Sequence, residues 1–235
     1  MANKPHGQLF VELIANHEQD GAFKLGPYAS NDLRNDPRHF FIVLSRYKFC
    51  SKMLSGSEEV LEVGCGDGLG IELMLQTCTK IHGIDIEPRI IEHNKKNSCH
   101  PGRVSFEVRD LLSHPFAERS FDAAYCLDVL EHVAQEKEHV FIKNIAGALK
   151  NQAPCIIGTP NITAREYASE GGQREHINLK NHDQLANLLR LYFHNVFLFS
   201  MNDEVVHTGF YPMAHYLLAL AVNPKRGQAA ARKKQ

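Results

Sequence analysis

Apolar residues recur along this chain in two rhythms. Between Pro37 and Leu54 they follow helical spacing, with Phe40, Val43, Leu44, Tyr47 and Leu54 on one stripe, and a helix over about 37–54 is expected. Before it, Leu9, Val11, Leu13 and Ile14 mark a short apolar segment, and Gly21–Pro37, rich in Gly, Pro, Asn and Asp, reads as loop. From Glu58 the rhythm shortens. VLEVG, KIHGID, VSFEVRD, FDAAYCLD and APCIIGTP are strand-like runs. Between them lie the amphipathic stretch LGIELMLQ, the helix-like PRIIEHNKKN and a helical stretch from about Glu136 to Leu149. Strands alternating with helices of this length predict parallel βαβ units. A polar segment follows from Pro160 to Asn181, then DQLANLLRLYF as a helix and NVFLFSM as a strand. The last apolar run, YLLALAV, is short enough to favour a strand.

Three regions are therefore expected: an N-terminal cap over 1–56, an α/β domain over 57–224 and a basic tail over 225–235. Charge adds little to this picture except at the tail. The formal net charge of -1 argues against a nucleic-acid binder, while the tail carries five Lys/Arg and no acid and reads as a solvated terminus. No apolar run is long enough to span a bilayer, and MANKPHGQLF does not have the form of a secretory signal, so a cytoplasmic location is expected. The six cysteines form no close pair, which predicts reduced thiols rather than a zinc or disulfide framework.

The chemistry concentrates in Glu62-Val-Gly-Cys-Gly-Asp-Gly-Leu-Gly70, which follows a strand and opens a helix. Glycines there let the backbone turn tightly and approach a ligand. Asp85 stands nineteen residues after Gly66, at the end of the second strand, where an acid can accept hydrogen bonds from both hydroxyls of a ribose. The dinucleotide pattern G-x-G-x-x-G fails here. Its third glycine is Leu69 counted from Gly64 and Ile71 counted from Gly66, and Asp67 would repel a pyrophosphate.

The acid-x-G-x-G-x-G form resembles the first motif of class I S-adenosylmethionine-dependent methyltransferases. The likeness runs well over residues 58–160. Ser120–His132, SFDAAYCLDVLEH, is similar to the fourth-strand motif of the ubiquinone-biosynthesis-like branch. Outside that range the chain resembles uncharacterised bacterial methyltransferases of sugar and surface-glycan gene neighbourhoods. That likeness lies in Arg46-Tyr47-Lys48-Phe49, Gly158-Thr-Pro-Asn, His176 and the stretch Asn202–Tyr216. The resemblance implies an α/β, Rossmann-like, seven-stranded mostly parallel sheet with one antiparallel strand and helices on both faces. It also implies S-adenosyl-L-methionine as cofactor. The cofactor-binding set expected from loop and family together is Glu62, Gly64, Gly66, Asp67, Gly68, Asp85, Ile86, Asp110, Leu111, Leu127 and Asp128. By resemblance, Asp110 takes the adenine amino group, the Leu111 N–H reaches the ring, and residues 126–128 line the methionine end.

Ligands of open parallel sheets bind at the carboxyl ends of the strands. Two long connections are expected to overhang that edge as a lid. One is 160–181, with Asn161, Arg165, Tyr167, Arg174, Glu175 and His176; the other is 202–212, with Asp203, Glu204, His207 and Tyr211. Tyr28, Arg46 and Tyr47 of the N-terminal region suit either the cofactor's methionine end or simple packing. An alcohol acceptor needs a general base, most often His, and the candidates are His132, His176 and His207. His132 equally suits a helix cap, and His176 and His207 equally suit exposed loops. Arg165 and Arg174 suit a phosphate or carboxylate of the substrate. No metal is expected: Asp128 fits one Mg²⁺ position, but Asn161 has no acid beside it, and Mg²⁺ prefers more than one carboxylate.

The function expected is O-methylation of a small polar acceptor, phosphate-bearing or not, such as a sugar nucleotide or glycan precursor. N-methylation of a small molecule and a non-catalytic cofactor-binding partner subunit are the alternatives. Cys126-Leu-Asp-Val is not the Asn/Asp-Pro-Pro-aromatic motif of base methylation, so no nucleic-acid partner is expected. Neither is a membrane span, and an oligomer is compatible with the sequence.

Overall fold

The computed structural model describes residues 7–20 and 22–226; most of the basic tail lies outside them. Lys225 and Arg226, its described start, cap carbonyls of the domain: Lys225 donates to the Arg190 carbonyl at 2.6 Å and Arg226 Nη1 to that of Ala146 at 3.3 Å.

Three helices come first, α1 (Gln8–Asp20), α2 (Pro27–Asn35) and α3 (Pro37–Met53). The second corrects the expected loop over 21–37. Pro27 sits in the first turn of α2, where its missing N–H costs nothing, and the polar residues that suggested loop form a short exposed helix. Asp36 then caps α3 by accepting from the His39 N–H at 3.2 Å. The α3 helix matches expectation.

The sheet is built from β1 (Glu59–Val63), β2 (Lys80–Asp85), β3 (Val104–Val108), β4 (Ala123–Leu127), β5 (Pro154–Pro160), β6 (Phe193–Asn202), β7 (Val205–His207) and β8 (Tyr216–Pro224). The helices between them are α4 (Ile71–Met74), α5 (Pro88–Asn97), α6 (Glu138–Ala148), α7 (Glu170–Glu175) and α8 (His182–Arg190). The order across the sheet is β3-β2-β1-β4-β5-β8-β6-β7. Strands β1 to β5 are parallel, and β8 inserts antiparallel between β5 and β6, pairing Ile157 with Ala219 and Phe197 with Leu220. The sheet therefore has eight strands rather than seven. Besides β8, the short edge strand β7 also runs antiparallel to its neighbour β6; at three residues it is too short to leave a periodic signal.

Alternation along the strands divides the core in two. On β4, Ala124 and Cys126 face one layer with Phe141, Ile142 and Ile145 of α6 and Leu185 and Leu189 of α8. Ala123, Tyr125 and Leu127 face the other, with Cys50 of α3, Met74 of α4 and Ile91 of α5. Helices thus cover both faces. The strand order reverses between β1 and β4, so the loops leaving their carboxyl ends diverge and open a crevice, as in other doubly wound sheets.

Candidate active site

That crevice is a cavity of about 1050 Å³. Its floor begins at the β1 loop. The Gly64 and Cys65 N–H groups both donate to the Ile84 carbonyl at 2.9 Å, fastening the loop to β2. Gly64 has φ +73°, and a Cβ there would meet Val129 Cγ2 at 2.2 Å, so only glycine lets the loops after β1 and β4 pass this closely. Asp85 closes the turn. Its Oδ2 accepts from the Gly66 N–H and its Oδ1 from the Glu87 N–H, each at 3.0 Å. The carboxylate is thereby oriented, and each oxygen keeps a lone pair for a ligand hydroxyl.

At the end of β3, Asp110 accepts from Ser113 Oγ at 2.8 Å and from the Leu112 N–H at 2.9 Å. These bonds, the hydroxyl's first, hold its carboxyl below the usual range and keep it an acceptor. Beside Asp85, Ile86 is 72% exposed, an apolar face on the cavity wall that a flat ring would cover. Leu111 and Leu127 are buried wall residues.

Asp67 plays a part the sequence did not reveal. Its Oδ2 accepts from the Ala29 N–H at 2.8 Å, tying the first turn of α2 to the glycine loop. Tyr28, Arg46 and Tyr47 all line the cavity. Arg46 is nearly buried, donates to Asp128 Oδ2 at 2.7 Å and lies 3.8 Å from the centre of the Tyr216 ring. Asp128 itself has φ +56°, a left-handed turn that aspartate tolerates better than most side chains.

The far end of the cavity is made by the 3-10 turn Leu130–His132 and the connection after β5. The Ile177 and Asn178 N–H groups donate to the Glu131 carbonyl at 2.9 and 3.0 Å, which brings His176 beside His132, ring centres 5.1 Å apart. The Asn178 amide and the Lys180 ammonium both reach Glu138 Oε2 of α6, at 2.9 and 2.7 Å, in a buried network. Glu131 is fully buried; its Oε2 accepts from Thr159 Oγ1 at 3.1 Å, and its Oε1 has no partner. Burial, and then the nearby Asp128, push its carboxyl up to about 8. Burial, and then His132, hold His176 below the ordinary imidazole value.

Several expected residues fall elsewhere. Glu62 and Gly68 are not on the wall of this cavity; Glu62 is buried within β1, where desolvation raises its carboxyl to about 8. His207 is not there either. It sits on the outer edge strand β7, four strand spacings or about 19 Å from β4. Both its ring nitrogens are engaged within the hairpin, by Asn202 Oδ1 at 3.0 Å and the Gly209 N–H at 2.9 Å. The 202–212 connection thus contributes nothing to the wall, correcting the expected two-part lid. Asn161 ties that connection down by donating to the carbonyls of Tyr211 and Ala214. From 160–181 only Pro160, Ser169, Gly171, Gly172 and Glu175–Ile177 reach the cavity; Arg165, Tyr167 and Arg174 do not.

The wall carries six Asp/Glu besides the buried Glu131, Asp85, Asp110 and Asp128 among them, against three Lys/Arg. Such a wall suits a cationic ligand and opposes a pyrophosphate. A family model described as a methyltransferase domain matches residues 60–152. Over this span the chain is similar to class I S-adenosylmethionine-dependent methyltransferase domains. The chain is 30% identical over 129 residues to a ubiquinone biosynthesis O-methyltransferase of Rickettsia felis, covering 53% of this chain and 48% of that one. It is 32% identical over 137 residues to phosphoethanolamine N-methyltransferase 1 of Triticum aestivum, covering 54% and 26%. The chain spans about half the length of the first curated relatives it matches. The N-methyltransferase NodS of Bradyrhizobium japonicum, solved with S-adenosyl-L-homocysteine, shares the fold with TM-score 0.58 at 20% identity, over 82% of this chain and 91% of that one.

S-adenosyl-L-methionine is the cofactor of such a domain, and the wall fits it. Asp85 would take its ribose, Ile86 and Leu111 the faces of its adenine, Asp110 the amino group, and the acidic wall its positive sulfonium and ammonium. The five free cysteines among the buried residues, and the exposed Cys99, form no disulfide. Among the described residues no helix is long and apolar enough to cross a membrane.

Proposed function

We propose that the chain transfers the methyl group of S-adenosyl-L-methionine to a hydroxyl of a small polar acceptor, such as a sugar nucleotide or glycan precursor. The observation that carries this reading is that one cavity holds both the Asp85–Asp110 end and the His132–His176 pair. The cofactor supplies an already activated methyl group, so the protein's work is to align the acceptor and manage its proton. The acceptor binds in the part of the cavity bounded by Asp128, His132 and the segment 169–177. His132 and His176 activate its hydroxyl, and the Arg46–Asp128 pair holds the turn after β4 in place. The tie from Asp67 to α2 keeps the N-terminal helices over the glycine loop, excluding water from the transfer. Arg165 and Arg174 lie off the wall, so an acceptor phosphate would have to be met by other groups, Lys137 being the free-standing candidate on the wall.

N-methylation of an amine is the second reading, favoured by the excess of carboxylates on the wall. A neutral amine needs no base, and its product carries the positive charge the wall prefers. A screen of hydroxyl and amine acceptors with S-adenosyl-L-methionine, products located by mass spectrometry, tests both. Transfer to oxygen that is lost in His132→Ala and His176→Ala supports the first. Transfer to nitrogen that survives both substitutions replaces it with the second.

A further inference from the structure

The first helix has the pattern of a packed element and the surroundings of an exposed one. Along α1 the apolar residues Leu9, Phe10, Val11, Leu13 and Ile14 take a broad arc, and Gln8, Glu12, Asn16 and Gln19 take the opposite face. Each of the five apolar residues is nevertheless between 53 and 67% exposed, and none of the described side chains of α1 is buried. The helix has 13 residues, about the length at which a free helix is marginal in water, and Val11 and Ile14 are weaker helix formers than alanine. A helix of this length is held by tertiary packing of its apolar face, and an apolar patch of several hundred Å² marks an interaction site.

Charge narrows what the partner is. The segment QLFVELIANHEQD contains acids and no Lys or Arg. An anionic lipid surface would repel it, since helices that lie on such surfaces carry Lys and Arg on the polar face. A matching surface must offer apolar side chains among basic ones, and this chain has one. On α3, Arg38, Phe41, Ser45, Lys48 and Lys52 recur at spacings of three and four and form one stripe. That stripe lies on the outer side of the helix, away from Val43, Arg46 and Tyr47, which face the cavity. Phe41 is 54% exposed, and Leu33 of the adjoining α2 is 41% exposed. Among the described residues, Arg38, Lys48 and Lys52 have no carboxylate partner, and neither Glu18 of α1 nor the stripe is engaged in an ion pair.

We propose that two copies of this chain associate reciprocally, the apolar face of α1 of each lying on the outer α2–α3 face of the other. The acidic helix then meets the basic stripe, and Phe41 and Leu33 meet the apolar arc. A two-fold arrangement uses the same contact twice, so each copy supplies both surfaces. At roughly 100 Å² for a large apolar side chain, seven of them contribute about 700 Å² per copy. The aliphatic stems of Arg38, Lys48 and Lys52 bring this to the roughly 800 Å² per partner of a standard interface. The stripe is on the far side of α3 from Arg46 and Tyr47, so the association leaves the cavity open.

The test uses the full chain at about 50 µM, above the micromolar dissociation constants at the weak end of interfaces of this size. Light scattering coupled to gel filtration should give the mass of two chains. Leu13→Asp with Ile14→Asp in α1, and separately Phe41→Asp in α3, should each give the mass of one. Lys48→Glu with Lys52→Glu should raise the dissociation constant at least about tenfold, because like charges then face each other across the contact. Val140→Asp, at an exposed apolar position of α6, should remain a dimer. All these positions are solvent-exposed, and retained S-adenosylhomocysteine binding certifies that each variant is folded. An unaltered chain with the mass of one copy overturns the proposal. So does a dimer that survives the α1 substitutions. If the α1 substitutions dissociate the dimer while Phe41→Asp and the two lysine substitutions do not, α1 rests on another surface and the assigned face falls. Co-flotation of a monomeric unaltered chain with phosphatidylcholine vesicles, lost in the α1 variant, would give the helix to a lipid surface and overturn the proposal as well.

Discussion

At the cofactor end of the cavity, Gly64, Gly66 and Asp67 are near neighbours in sequence, and Asp85 is fastened to their loop by one hydrogen bond. At the acceptor end, Glu131 and His132 meet His176 because a polar connection crosses back over the sheet edge and is bolted there by two N–H groups and the buried Glu138–Asn178–Lys180 network. The first end is local and its geometry follows from backbone conformation. The second is assembled across the fold, and its integrity depends on buried polar contacts that are expensive when half removed. On the proposed reading, the cofactor end should tolerate changes in the connection and the acceptor end should not.

Substitutions that separate the two ends should show this asymmetry. The largest effect is expected from His176→Ala, with turnover falling about 100-fold or more, the scale of a lost proton-handling group. His207→Ala should stay within about twofold, and S-adenosylhomocysteine affinity should be unchanged in both; steady-state rates and calorimetry read the difference. Equal losses in the two variants would place the chemistry outside the cavity described here. Next is Lys180→Met. It leaves Glu138 as an uncompensated buried carboxylate, which typically costs about 3–5 kcal/mol. Denaturant unfolding should show that loss, and protease should cut first within 160–181 while the glycine loop stays protected.

The smallest expected effect lies away from both ends. His82 of β2 stacks on Phe121 at 5.9 Å and contacts Ser105 Oγ at 2.7 Å. Burial lowers its value from the ordinary 6.5 despite the neighbouring Glu107. The unfolded chain therefore takes up this proton before the folded one does. The stabilisation is present above about pH 6.5 and is lost as pH falls from there through the folded value. One proton sets a ceiling of about 1.4 kcal/mol per pH unit on this slope. His82→Gln should flatten the dependence of unfolding free energy on pH between 7 and 5 by that amount or less, read from denaturant unfolding at each pH.

How much was legible in the sequence follows the same division. The glycine loop, Asp85 and the strands β1 to β5 were readable because short-range patterns carry them: β-branched runs, clustered glycines and an acid at a strand end; Asp110 came from the family resemblance. Helix α2 was hidden because its polar, turn-forming residues also favour loops, although Pro27 and the Asp36-Pro37 step mark helix starts. The count of strands missed β7, whose three residues gain their pairing only from β6. His207 looked equivalent to His176 because both follow strands that end at the same sheet edge. What separates them is lateral position in the sheet, which the insertion of β8 sets and no local pattern encodes. The surroundings of Glu131 were not legible for a similar reason. Its complete burial and its meeting with His176 arise from tertiary hydrogen bonds.

The claim most in need of proof is that the Asp85 end of this cavity holds the cofactor. Isothermal titration of S-adenosylhomocysteine into the unaltered chain and into Asp85→Ala tests it directly. Two hydrogen bonds to a charged group at about 1.5 kcal/mol each correspond to a loss of about 100-fold in affinity, and that weakening is the predicted result. Equal affinity in the two proteins would contradict the account.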